Sequence, residues 1–208
     1  MSRTRLRIGR QRAQGQSLVE FSILVPAFMI ILFGMLEFGF VFSHHLTLEY
    51  ATREGARVGS ALGNGTVQSP CAQAVGKPEP VDWVVIAAVQ RVLTSPGSPV
   101  ALANVKNIHI YQADTSGNEI TGKINVWVPG PDGKVVDGVP LQFKPSGTQS
   151  YDACSRKKSP IGSADSLGVS LRYDYASITP LGVLLKSTGN QVTISDRTVM
   201  ALNPFQDP

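Results

Sequence analysis

Two glutamates of this chain stand where a charge is costly. Glu20 precedes a strongly apolar run over residues 21–42, and Glu37 is the one charged residue inside that run. A carboxylate in such surroundings needs a cationic or hydrogen-bonding partner, so both acids are candidate functional residues. The chemistry they support is ion pairing with a basic side chain or an amino terminus. A plainer interpretation stands beside each: Glu20 complements a helix dipole, and Glu37 reaches to the polar boundary at the end of the run.

The other reactive residues form no catalytic or metal-binding pattern. The sequence has no Walker A loop, no zinc-type ligand spacing and no Gly-x-Ser-x-Gly turn. His44 and His45 are adjacent, so they point in different directions on a helix, and we interpret them as polar residues at the end of the apolar run. His109 and Asp174 alternate with apolar residues, which indicates solvated strand positions. We therefore expect no enzyme, no metal, no cofactor and no small-molecule substrate.

The apolar run is long enough to cross a membrane, since about 20 apolar residues span the hydrocarbon of a bilayer. It has no polar stripe, as a core helix of a soluble domain would have, and no small-residue cleavage site, as a secretory signal would have. We expect a transmembrane helix over residues 16–43 and its extracytoplasmic continuation over residues 44–63. Helical spacing predicts one helix from about residue 19 to residue 62, stopped by the glycines of residues 63–65.

Charge sets the expected orientation. Five arginines and no acidic residue lie in residues 1–15, a basic leader ahead of the apolar run. Positive flanks stay in the cytoplasm, so the amino terminus is expected inside and the carboxyl-terminal domain outside the cytoplasmic membrane. Without these arginines the chain has 14 basic against 15 acidic residues. The net charge of +4 therefore indicates topology rather than binding to nucleic acid, which we do not expect as a partner.

Small residues and a proline mark places where the helix surface changes. Pro26 lacks an N–H and presses on the carbonyl of Ser22, so we expect a kink there. Gly34 and Gly39 leave flat patches at which another helix can approach closely. Their separation of five residues differs from the small-xxx-small pattern, so the sequence predicts no specific dimer face.

Residues 64–208 predict an α+β extracytoplasmic domain. A short helix is expected over residues 80–93, although its β-branched residues also suit a strand. Alternating patterns predict strands over residues 105–111, 123–128, 167–175 and 191–200, separated by turn-forming residues. Residues 129–163 read as an irregular excursion across the sheet's edge. We expect an antiparallel sheet packed on the exposed half of the long helix.

Cys71 and Cys154 are the only cysteines. Both fall on the expected outer side, where oxidising conditions favour pairing, and the even count leaves no orphan. A disulfide between them would close a long loop and contribute about 4 kcal/mol. If both stayed reduced they would be candidates for redox or metal chemistry, although no histidine stands near them in the sequence.

The residues around the leader resemble a known processing signal. A basic leader ending in Gly15, Glu20 at the fifth position after it, and an apolar helix starting there are similar to the class III signal of type IV pilin-like proteins. The resemblance implies that a membrane-embedded prepilin peptidase cuts between Gly15 and Gln16, and that the helix remains as anchor and assembly surface. Many pilins begin after cleavage with an N-methylated aromatic residue, whereas this chain would begin with Gln16.

A narrower resemblance covers residues 12–60. The matching positions are Gly15, residues 19–21, residues 24–26, Gly34, residues 37–39 and residues 51–57. Together they resemble the TadE-like family of tight-adherence (Flp, type IVc) pilus proteins, which are minor-pilin or pseudopilin-like and contribute to cell adhesion. The resemblance implies membrane lipid, a prepilin peptidase and other pilin-like and Tad assembly proteins as partners. It also implies that Glu20 compensates a neighbour's new amino terminus at Gln16.

One alternative function stays open at this point. The chain could be a membrane-anchored extracytoplasmic binding module of the cell envelope, whose outer domain recognises a glycan or a surface. Cleavage after Gly15 discriminates the two, because only the pilin-like protein requires it.

Overall fold

The structure is a computed structural model, and it describes residues 12–65, 80–158, 164–180 and 192–202. Helix α1 is Arg12–Leu62 and helix α2 is Pro80–Leu93. The strands are β1 (Val105–Ala113), β2 (Glu119–Pro129), β3 (Val135–Val136), β4 (Val139–Pro140), β5 (Phe143–Ser146), β6 (Ser166–Tyr175) and β7 (Val192–Ala201). The α+β class is therefore confirmed: a long apolar amino-terminal helix is followed by a small antiparallel sheet domain.

Helix α1 begins at Arg12 rather than near residue 19 as expected. Arginine, alanine and glutamine are good helix formers, so the end of the leader joins the helix and places Gly15 inside it. At its other end the helix stops at Leu62, before the glycines that were expected to stop it. Gly63 has a φ of 54° and its N–H donates to the carbonyl of Gly59 at 2.8 Å, a left-handed cap that glycine adopts without steric cost.

The chain divides into two compact units. One unit contains Met1–Phe40 and Ser177–Asn190, and the other contains Val41–Ala176 and Gln191–Pro208. In the part of the chain that the structure describes, one helix is long and apolar enough to cross a membrane, and its most apolar window is not buried by protein. This window lies near the amino terminus, where the sequence predicted the span.

The second unit is built on a five-stranded antiparallel sheet of order β5-β2-β1-β6-β7. The four strands predicted from alternation are all present. Strand β5 and the β3–β4 hairpin are additional, because they lie in the stretch expected to be irregular. Strand β5 contains only four residues, one of them Pro145, so it carries no alternating signal and pairs only with β2 at the sheet's edge.

The core of this unit lies between the helices and one face of the sheet. A Cβ at Gly55 of α1 would stand 2.5 Å from the Val89 side chain of α2 and 3.4 Å from that of Val169 of β6. Trp83 of α2 and Trp127 of β2 meet edge to face at 4.5 Å. The predicted packing of the sheet on the outer part of the long helix is therefore observed.

A buried polar network joins the elements at one end of this core. Arg156 donates to the Asp82 carboxylate at 2.7 Å and to the Tyr151 carbonyl at 3.1 Å, and both members of the ion pair have fully buried side chains. Asn125 of β2 donates to the same carboxylate at 2.6 Å and accepts the Tyr151 N–H at 2.8 Å. The Arg156 guanidinium also lies 4.4 Å from the Tyr151 ring centroid. This network fixes the segment after β5 against α2 and β2.

The amino-terminal helix as a candidate assembly site

The predicted processing residues lie in the first turns of α1. Gln16 donates from its side-chain amide to the Glu20 carboxylate at 3.1 Å, and both residues are exposed. No atom of the described residues lies within 4 Å of a Cβ built at Gly15. Glu20 is therefore on the same helix face as Gln16, one turn later, and its carboxylate stands at the surface. Cleavage after Gly15 and pairing of Glu20 with another subunit stay predictions.

An apolar surface follows these residues along the helix. Most of the large side chains from Leu18 to Phe42 are exposed, and Met35 and Phe38 expose 71% of their area. Soluble proteins seldom present so large a continuous apolar area to water, and such areas mark contacts with membranes or other proteins. This surface can bury itself in lipid and against neighbouring apolar helices.

Pro26, Gly34 and Gly39 lie within this apolar surface. Among the described residues, no atom lies within 4 Å of a Cβ built at Gly34 or at Gly39. The helix continues through Pro26, and Ser22 donates its hydroxyl to the Leu18 carbonyl at 2.7 Å. The expected kink and the expected packing role of these residues remain predictions.

Glu37 has a partner within its own chain. The backbone N–H of Thr179 donates to its Oε2 at 3.0 Å, and only 9% of Glu37 is exposed. The neighbours Leu36 and Phe38 are 48% and 71% exposed, so the cover over Glu37 is local. This contact was not predicted. The sequence suggested that the Glu37 side chain either reaches the polar boundary or pairs with another subunit. The two residues are 142 positions apart in sequence, and no motif links them.

Two histidines differ from their expected surroundings. His44 is 4% exposed and packs on the rings of Tyr173 and Tyr175, at centroid distances of 5.5 and 5.1 Å, instead of only marking the end of the apolar run. His109, expected as a solvated strand residue, has a 13% exposed side chain with its Nδ1 2.9 Å from the Glu119 carboxylate. The strand position of His109 was predicted correctly, but the alternating pattern does not reveal its contact with Glu119.

A polar groove of about 520 Å³ is lined by residues of β1, β2, β6 and β7. Glu119 accepts there from the Ser170 hydroxyl at 3.1 Å, and the groove also contains Arg172 and Arg197. Two acidic residues, Glu119 and Asp196, line the groove together with these two arginines. The charges therefore select neither an anionic nor a cationic ligand. In the residues described by the structure, no group of three or more potential metal ligands is found.

Only one cysteine of the predicted disulfide lies among the described residues. Cys154 lies in the described segment after β5, whereas Cys71 lies outside the described residues. The bridge between them stays a prediction.

Small residues on the outer part of α1 form a close-packed face that the sequence only partly indicated. Besides Gly55, a Cβ at Gly59 would lie 2.8 Å from the Leu167 side chain of β6. Thr52 is fully buried and donates its hydroxyl to Asp196 of β7, and its oxygen is 3.0 Å from that of Thr198. The spacing of small residues on one helix face was the available signal for this contact.

Comparison with known proteins supports the resemblance of the amino-terminal segment. Residues 15–57 match the family model described as TadE-like protein. No curated protein matches the chain, and no solved structure does. The matched segment contains Gly15, Glu20, the apolar surface and the start of the close-packed face. Residues 15–57 are therefore similar to the TadE-like family, as the sequence resemblance implied.

Proposed function

We propose that this chain is a single-pass membrane protein, pseudopilin-like, that takes part in assembling or anchoring a tight-adherence pilus. The observation that carries the proposal is the exposed apolar surface of α1 within a segment that matches the TadE-like family. Each large apolar side chain moved out of water contributes about 1.5–3 kcal/mol, so lipid and neighbouring apolar helices are its favourable surroundings. The role is structural, and no catalytic activity is proposed.

The proposed topology places the leader in the cytoplasm and the sheet domain outside, at the inner membrane. The arginines before the apolar run support this orientation. Alkaline carbonate extraction of membranes tests the anchor: the full-length chain is expected to stay with the vesicles. Release into the supernatant would contradict a membrane-spanning helix.

The proposed processing step is cleavage between Gly15 and Gln16 by a prepilin peptidase. Co-expression with such a peptidase is expected to shorten the chain by its first 15 residues, as read by amino-terminal sequencing. Gly15→Leu is expected to block cleavage, whereas Gly9→Leu, a matched change in the same leader, leaves it intact. A chain that stays uncleaved and still functions would favour the binding-module alternative.

The proposed role of Glu20 is to compensate a positively charged group of a neighbouring subunit. Its carboxylate is exposed and accepts from the flexible side chain of Gln16, so a cation can displace that contact. Glu20→Gln is expected to reduce co-purification of other pilin-like subunits, and Glu54→Gln, on the helix beyond the apolar run, is expected to leave it unchanged. Equal recovery with both variants would count against an assembly role of Glu20.

A further inference from the structure

We infer that residues 177–180, the Thr179 segment, enter the extracytoplasmic leaflet and that Ile178 contacts lipid acyl chains. The inference rests on the proposed membrane-spanning position of α1. It concerns a second part of the chain, which lies far from that helix in sequence and which carries no membrane signal of its own.

The depth of the Thr179 segment follows from its hydrogen bond. The N–H of Thr179 donates to Glu37 Oε2 at 3.0 Å, so Thr179 lies within reach of the Glu37 side chain. Glu37 precedes Phe42, at the expected outer boundary, by five residues, which at 1.5 Å per residue places its Cα about 7 Å inside the hydrocarbon. Ile178 is the next residue to Thr179, and neighbouring Cα atoms are about 3.8 Å apart. Ile178 therefore lies inside the boundary or at it.

The polar and apolar groups of the segment are arranged as lipid contact requires. The Glu37 carboxylate and the Thr179 N–H satisfy each other, and only 9% of Glu37 is exposed. The hydroxyls of Ser177 and Thr179 are buried, and neither has a hydrogen-bond partner among the described residues. Ile178, by contrast, exposes 62% of its area. Polar groups turned inward and a branched apolar side chain turned outward suit hydrocarbon rather than water.

Lipid is the inferred contact of Ile178 because the neighbouring residues belong to the apolar surface of α1. Glu37 is flanked by Leu36 and Phe38, which belong to the apolar surface of α1 and are themselves exposed. The most apolar window of that helix is not buried by protein. Ile178 therefore continues a surface whose proposed surroundings are acyl chains, and the hydrogen bond to Glu37 keeps it there.

Photocrosslinking of the full-length protein in phospholipid vesicles tests the inference. The photoreactive residue p-benzoylphenylalanine replaces Ile178 in one variant, Phe38 in a second and Val135 in a third. Phe38 reports on the helix itself, and Val135, 65% exposed in the other unit, is the matched apolar control. After irradiation, mass spectrometry is expected to find phospholipid adducts at positions 178 and 38 and none at position 135.

The outcomes separate this inference from the proposed function. Adducts at position 38 without adducts at position 178 would overturn the inference and leave the membrane-spanning helix in place. Adducts at neither position would contradict the proposed function as well. Crosslinks from position 178 to protein, or equal lipid yields at positions 178 and 135, would also overturn the lipid contact.

Substitutions at Glu37 test the role of the hydrogen bond. Glu37→Gln keeps an acceptor for the Thr179 N–H, so the lipid adduct at position 178 is expected to persist. Glu37→Leu removes the acceptor, and loss of a hydrogen bond to a charged group corresponds to about a tenfold fall in the populated contact. The adduct at position 38 is expected to stay unchanged in both. An unchanged yield at position 178 in Glu37→Leu would refute the role given to this bond.

Discussion

Replacing Arg156 by methionine tests whether the buried ion pair with Asp82 holds the sheet domain together. Both side chains are fully buried, and the guanidinium donates to the carboxylate at 2.7 Å. Methionine keeps much of the volume and apolar stem of arginine but removes its charge and its donors. Asp82 would then be a buried carboxylate that still accepts from the Asn125 amide but faces no cation.

The expected cost follows from that uncompensated charge. Removing one partner of a buried ion pair lowers the free energy of unfolding by about 3–5 kcal/mol. The Tyr151 and Gly63 carbonyls, which accept from the guanidinium at 3.1 and 3.4 Å, also lose a donor. Arg53 supplies the matched control, because it pairs with Glu49 on the helix surface with 57% of its side chain exposed. Arg53→Met is expected to cost no more than about 0.5 kcal/mol.

Denaturant unfolding of the full-length protein in detergent micelles measures both variants. The fluorescence of Trp83 and Trp127 reports on the core beside the network, since their rings meet there. Domains of this kind are stable by about 5–15 kcal/mol, so the loss in Arg156→Met is a large share of the total. Arg156→Lys, which keeps the charge, is expected to fall between the other two and serves as a milder variant. Equal unfolding free energies for Arg156→Met and Arg53→Met would refute the reasoning, because they would mean that the Asp82 charge is solvated rather than left buried without a partner.

Three further predictions concern packing, pH and oxidation. Gly55→Ala is expected to unfold more easily than Gly39→Ala by about 1–3 kcal/mol in the same assay, because its Cβ meets a side chain of α2 whereas Gly39 faces open space. The backbone N–H of Asn118 holds the pKa of Asp114 below its usual range, so this turn's stabilisation is present above about pH 4 and is lost as the pH falls through the lower folded pKa. The Asn118 amide signal in NMR should follow that titration, and Asp114→Asn should abolish it. Cys154→Ser is expected to remove a reduction-dependent mobility shift on gels and to cost about 4 kcal/mol if the bridge to the other cysteine forms.

The regular elements of the fold were predictable because each carries a local signal. Strands β1, β2, β6 and β7 alternate in polarity, since one face of the sheet packs on helices and the other is polar. Strand β5 has no such signal, and its four residues become a strand only because β2 offers a free edge. The early start of α1 has a similar cause, because good helix formers extend a helix that the apolar run nucleates.

The polar contacts were not predictable, because each depends on residues far apart in the chain. Arg156 and Asp82 are 74 positions apart, and neither stands in a motif. From the sequence alone, a charged residue is expected at the surface, and its burial becomes apparent only when the fold shows its partner. His109 is a smaller case: its strand was predicted, but the carboxylate 2.9 Å from its Nδ1 belongs to Glu119, which stands opposite Ala113 in the strand register rather than opposite His109.

The same distinction separates the two acids of the amino-terminal helix. Both were candidates because a carboxylate in an apolar setting needs a partner. The structure supplies a backbone N–H to Glu37 and covers it, whereas Glu20 remains exposed with a side-chain amide from its own helix turn. A cation from a neighbouring subunit would have to displace a buried hydrogen bond at Glu37 but only a solvent-exposed one at Glu20. Exchange of partners therefore costs less at Glu20, the acid that lies one turn from the proposed new amino terminus.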